Sequence, residues 1–136
     1  MGTTNYYDTF IAIAPDCPVA SAEAPAARGD KPTVAQLQYE LIAAHPYGST
    51  SDDVLFAVHA ERQGIPEPER AVERERFFAR SQACLRSSPL GKRYGWGLHH
   101  DAQGRVALVP VGSEEYRRLE TDPALTQTRA MRSKRA

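Results

Sequence analysis

The chain has 136 residues, with 17 Lys+Arg against 17 Asp+Glu. That length fits one domain, and 41% hydrophobic with 25% charged residues is globular rather than disordered usage. A formal charge of zero argues against a general polyanion or membrane-surface binder.

The N-terminal stretch has no basic lead, and its apolar run Phe10–Ala14 is far too short for a secretory core or a membrane span. A soluble, cytoplasmic protein is expected. Residues 7–14 are β-prone, and Phe10, Ile11 and Ile13 give the strand apolar groups on both faces. Residues 19–32, rich in Ala and Pro, read as an irregular loop.

Helical signals follow. Thr33 with Gln36 predicts a capping box, in which each side chain satisfies the other's backbone N–H. Val34, Leu37, Leu41 and Ala44 then repeat at helical spacing until His45-Pro46 stops them. Thr50 or Ser51 caps a second helix, with Asp52 and Asp53 at the positive end of its dipole and Gly64 as its stop. A third, charge-rich helix is expected over about 67–80, its three-residue Glu–Arg spacings forming a solvated face.

Residues 84–93 read as a loop entering a strand at 94–100, where Tyr94, Trp96, Leu98 and His100 alternate with Gly95, Gly97 and His99. Asp101–Gly104 reads as a hairpin loop and 105–111 as the partner strand. Ser113 caps a short helix through Leu119. The predicted architecture is α+β: a small antiparallel sheet of about three strands, covered on one face by three main helices. Residues 1–122 form the single globular domain, and 123–136 a basic, disordered tail carrying Arg129, Arg132, Lys134 and Arg135 without an acid.

The neutral total conceals a split. Residues 1–61 hold eight acids and two bases, while residues 62–136 hold fifteen bases and nine acids. Fourteen of the bases are arginine, the side chain suited to bidentate contact with carboxylate or phosphate. Either the two halves neutralise each other or they leave an anion-sized gap.

The densest chemistry lies in 80–100. Arg80, Arg86, Lys92 and Arg93 fall within fourteen residues with no acid between them. Alternate glycines at 95 and 97 leave one sheet face bare, so that a helix or a ligand can approach closely. Arg86, Ser88, Lys92 and Arg93 therefore form the candidate site for a small anion or nucleotide-type ligand, with Trp96 as a stacking surface. The first glycine and final Ser/Thr of a phosphate-binding P-loop are missing. No cofactor is implied.

Cys17 and Cys84 lie 67 residues apart and form neither a zinc nor a C-x-x-C motif. No histidine spacing suggests a metal centre. An enzyme using Cys84 with His59 or His99 is one rival reading. A homodimer built on an uncovered strand edge is another. The short basic tail makes a weak case for nucleic acid.

Thr4-Asn5-Tyr6-Tyr7-Asp8-Thr9-Phe10-Ile11, Asp16-Cys17-Pro18, His45-Pro46-Tyr47 and Thr50-Ser51-Asp52-Asp53-Val54-Leu55-Phe56 carry a resemblance, as do Cys84-Leu85-Arg86, Ser88-Pro89-Leu90 and Lys92-Arg93-Tyr94-Gly95-Trp96-Gly97. Over about residues 3–119 the chain resembles a small bacterial family catalogued only as a domain of unknown function. The resemblance implies a stand-alone domain and brings no activity, cofactor or partner. It singles out polar residues that a core would not choose, among them Asn5, Gln38, Tyr47, Asp52, Asp53 and Arg86.

Overall fold

A computed structural model describes residues 3–27 and 29–133. Among them are four strands and five α-helices. β1 (Thr9–Ala12) precedes α1 (Val34–Ala44), α2 (Ser51–Gln63), α3 (Arg70–Ala79) and the short α4 (Pro89–Arg93). β2 (Trp96–His100), β3 (Val106–Pro110), α5 (Glu114–Glu120) and β4 (Thr126–Arg129) complete the order. The α+β class is as expected, but the sheet is mixed and has four strands in the order β3-β2-β1-β4.

β2 and β3 form the expected hairpin, with Leu98 opposite Leu108 and His100 opposite Val106. β1 joins β2 antiparallel, placing Ile11 beside Leu98. The fourth strand comes from the segment expected to be a disordered tail. β4 runs parallel to β1, Thr9 opposite Thr126 and Ala12 opposite Arg129, and Ala130 beyond it is buried. Its polar sequence has no strand periodicity; the unsatisfied edge of the buried β1 recruits it. Lys134 and Arg135 lie outside the described residues.

Helices cover both sheet faces rather than one. Ile11, Leu98 and Val106 meet Ile42, Val54, Leu85 and Leu90 from the α1, α2 and α4 side. Phe10, Ala12 and Val109 meet Tyr116 and Leu119 of α5 on the other. Two apolar faces on β1 demand two covering layers, and the short α5 supplies the second. Gly97 makes room there. A Cβ on it would stand 2.7 Å from the Phe10 ring and 2.9 Å from the Tyr116 ring.

The caps follow local chemistry. Thr33 accepts from the Gln36 amide, but Gln36 Oε1 is buried without a partner among the described residues, so the box is not closed. It closes instead at Thr50 and Asp53, each side chain bonding the other's backbone N–H. Gly64 ends α2 in the left-handed conformation. The third helix begins as a 3-10 turn at Glu67–Glu69. The expected loop at 84–93 is a 3-10 turn at Leu85–Ser87 followed by α4.

Candidate functional site

α4 exists because Ser88 caps it and Leu90 anchors it. Ser88 Oγ accepts from the Leu90 amide and donates to Gln38 Oε1 at 2.6 Å. Pro89 fits the first turn, where no N–H is needed, and Leu90 is fully buried. The buried Ser88 hydroxyl therefore fastens α4 to α1.

Arg86 fastens the C-terminal segment. Its Nε donates to the Arg129 carbonyl at 2.8 Å, and its own carbonyl accepts from the Met131 amide at 2.8 Å. Both bonds lie on the side of β4 away from β1. No other donor use of the Arg86 guanidinium occurs among the described residues. At the far edge of the sheet, Val106 exchanges backbone bonds with Tyr47 and Ser49. Each outer strand is thus occupied along part of its edge.

Trp96 packs tilted against Tyr39 at 5.5 Å and donates its indole N–H to the Glu23 carbonyl. The bareness expected at Gly95 and Gly97 is filled by protein. Residues 19–22 lie against Gly95, and the Phe10 and Tyr116 rings against Gly97.

Lys92 and Arg93 differ from these. Among the described residues neither side chain makes a hydrogen bond or an ion pair. Two of the N-terminal acids are engaged elsewhere: Asp52 binds the Thr3 and Thr4 hydroxyls and the Thr4 amide, and Asp53 pairs with Arg74 at 2.9 Å. Besides that pair, only Glu61–Arg70 joins the acidic half to the basic half, at 4.0 Å, among the described residues. Both ion pairs join α2 to α3. Helical spacing puts Lys92 and Arg93 on the same face of α4 as Pro89.

Pro89 lines a cleft of about 250 Å³, together with Val34, Gln38, Leu55, Phe77, Cys84 and Ser88. A second cleft of about 160 Å³ shares Val34, Gln38 and Leu55 and extends to His59 and Arg62. Cys84 Sγ lies 3.1 Å from the Tyr6 hydroxyl. Burial, then the adjoining thiol, pushes the Tyr6 hydroxyl up to about 12, so it stays protonated. Behind Tyr6, at 5.4 Å between ring centres, stands His100. It is fully buried, and neither ring nitrogen has a well-formed hydrogen bond among the described residues. Burial, with His99 next in effect, pulls it down to about 4, and its ring is neutral at pH 7.

Neither histidine proposed as a base touches Cys84. His99 projects to the α5 face, where its Nδ1 lies 2.7 Å from the Tyr47 hydroxyl. His59 stacks on Phe77 at 4.6 Å and contacts Phe56. Among the described residues no three His, Cys, Asp or Glu side chains gather as a metal-holding group. Sequence reasoning missed Tyr6, whose partner lies 78 residues away; Tyr47 was singled out, but not its partner 52 residues on. Tyr47 also adopts φ of 58°, unusual for a residue with a Cβ.

The chain is thus a mixed-sheet α+β protein with a thiol-bearing cleft and, on the short helix that borders it, two cations unpaired among the described residues. It belongs to a family of unknown function (DUF6157), matched over residues 1–136. No curated protein and no solved structure matches it. No helix among the described residues is long and apolar enough to cross a membrane.

Proposed function

We propose that the chain binds a small ligand carrying an anionic group at the cleft beside α4. Lys92 and Arg93 hold the anion, and the unused end of the Arg86 guanidinium adds to the field. The apolar walls Val34, Leu55 and Phe77 receive the body of the ligand. Ser88 and Trp96, first expected to touch the ligand, serve it indirectly by fixing α4 and β2. The observation that carries the reading is the pair of cations without an acid partner among the described residues, on the short helix whose Pro89 lines a cleft. Unpaired like charges side by side cost stability unless something of opposite sign visits them.

The test is thermal unfolding with inorganic phosphate, small dicarboxylates and nucleoside monophosphates. A ligand at a hundred times its Kd adds about 2.7 kcal/mol of stability. At least one of these anions is expected to raise Tm, and Lys92→Ala/Arg93→Ala to abolish the rise. No shift from any of them, or one that survives the double substitution, counts against the reading.

A further inference from the structure

The buried stripe of α1 contains a polar residue. Ala35, Gln38 and Ile42 are its buried positions, at helical spacing, and Gln38 is only 3% exposed. A core does not choose glutamine for bulk, because a carboxamide brings two N–H donors and an acceptor that need partners. Part of that need is met. Gln38 Oε1 accepts from the Ser88 hydroxyl at 2.6 Å, a length proper to O–H···O and short for N–H···O. Ser88 Oγ already accepts from the Leu90 amide, so its own proton goes to Gln38. This bond fixes the sense of the carboxamide and turns Nε2 away from Ser88. Nε2 makes no hydrogen bond among the described residues, yet it is not sealed from solvent. Gln38 lines both the cleft beside α4 and the adjoining cleft that reaches His59 and Arg62, so its free N–H opens into them.

The other side-chain donors on the first cleft are engaged. The Gln82 amide bonds the Phe77 carbonyl, the Ser87 hydroxyl bonds the Met131 sulfur, and the Cys84 thiol lies against the Tyr6 hydroxyl. No Asp or Glu among the described residues lines either cleft. Glu61, next to Arg62 in sequence, borders a neighbouring cleft with it and faces Arg70 at 4.0 Å. An N–H set among apolar walls selects for an occupant that brings an acceptor. A ligand without one strips solvent from the N–H and leaves it unpaired.

We infer that the cleft is specific for an anion whose apolar body carries an uncharged acceptor oxygen, a ketone or amide carbonyl, to which Gln38 Nε2 donates. The inference rests on the small-anion reading and adds the chemical class of the ligand's body. Gln38 is the specificity-determining residue, and Ser88 positions it.

The experiment is calorimetric titration of the full chain with heptanoate, with its oxo positional isomers and with N-butyrylglycine, beside thermal shifts with inorganic phosphate. At least one carbonyl-bearing probe is expected to bind about tenfold more tightly than heptanoate. Gln38→Met, of similar bulk, is expected to bring that probe and heptanoate within about twofold of each other. Gln38→Glu keeps the acceptor for Ser88, loses the donor, and is expected to do the same; it serves where Gln38→Met does not fold. A merely structural role for Gln38 weakens all the carboxylates alike and leaves the preference intact. A preference that survives both substitutions therefore overturns the inference. A phosphate shift without any carbonyl preference overturns it too, and leaves the small-anion reading standing. No binding of phosphate or of any carboxylate overturns both.

Discussion

His100 is a histidine held as if it were apolar. It sits at the end of β2 between the Tyr6 ring and the core, without a hydrogen bond of good geometry to either nitrogen among the described residues. Its folded value lies at about 4, against roughly 6.5 in an unfolded chain. Between those limits the unfolded state binds the extra proton, so stability rises with pH. The contribution is fully present above pH 6.5 and is lost progressively as pH falls toward 4. The loss comes to about 3 kcal/mol. His100→Leu keeps the bulk and removes the proton site. Urea midpoints at pH 7, 5 and 4 are expected to fall much less in the variant than in the wild type. Parallel curves would assign the acid sensitivity to other groups. His99, lowered by its own burial, retains a smaller share in both proteins.

The elements divide by how local their causes are. Thr33, Thr50 and Gly64 act within one turn of themselves, and the starts or stops they mark were legible in the sequence. The β2–β3 hairpin was legible for the same reason, with Gly104 at φ of 80°. α4 was hidden because Ser88-Pro89 also opens turns, and only Gln38, fifty residues earlier, secures the cap. β4 was hidden because its residues carry no pattern; its pairing energy comes from β1. Of the candidate site, the acid-free run of bases was legible, but not that Arg86 spends its Nε on a carbonyl. This clamp predicts a separable effect. Arg86→Ala is expected to speed hydrogen exchange at Thr128 and Ala130, whose amides face β1, while leaving β2 and β3 protected. Uniform acceleration across the sheet would show that Arg86 supports the whole fold instead. The loss of one such bond costs about 1–2 kcal/mol.

At the scale of the whole molecule, the C-terminal segment is part of the fold rather than an appendix to it. Its Ala130 lies in the same apolar cluster as Ile11 and Leu90. A chain ending at residue 122 leaves the Asp8 and Ala12 carbonyls without the Thr126 and Ala130 amides that they accept from. Such a chain is expected to lose about 2–4 kcal/mol from orphaned backbone and re-exposed apolar surface. Equal urea midpoints for the two chains would refute that. The sheet order also sets a schedule for synthesis. β1 leaves the ribosome first, yet its neighbours β2 and β4 are the segments from residue 96 onward. At roughly 5–20 residues per second, the nascent chain carries Phe10 and Ile11 unpaired for several seconds. Over that interval α1 and α2 can cover the Ile11 face of the strand, whereas the Phe10 face waits for α5. The two faces of one short strand are thus buried at different times, Ile11 against helices made soon after it and Phe10 against one made about a hundred residues later.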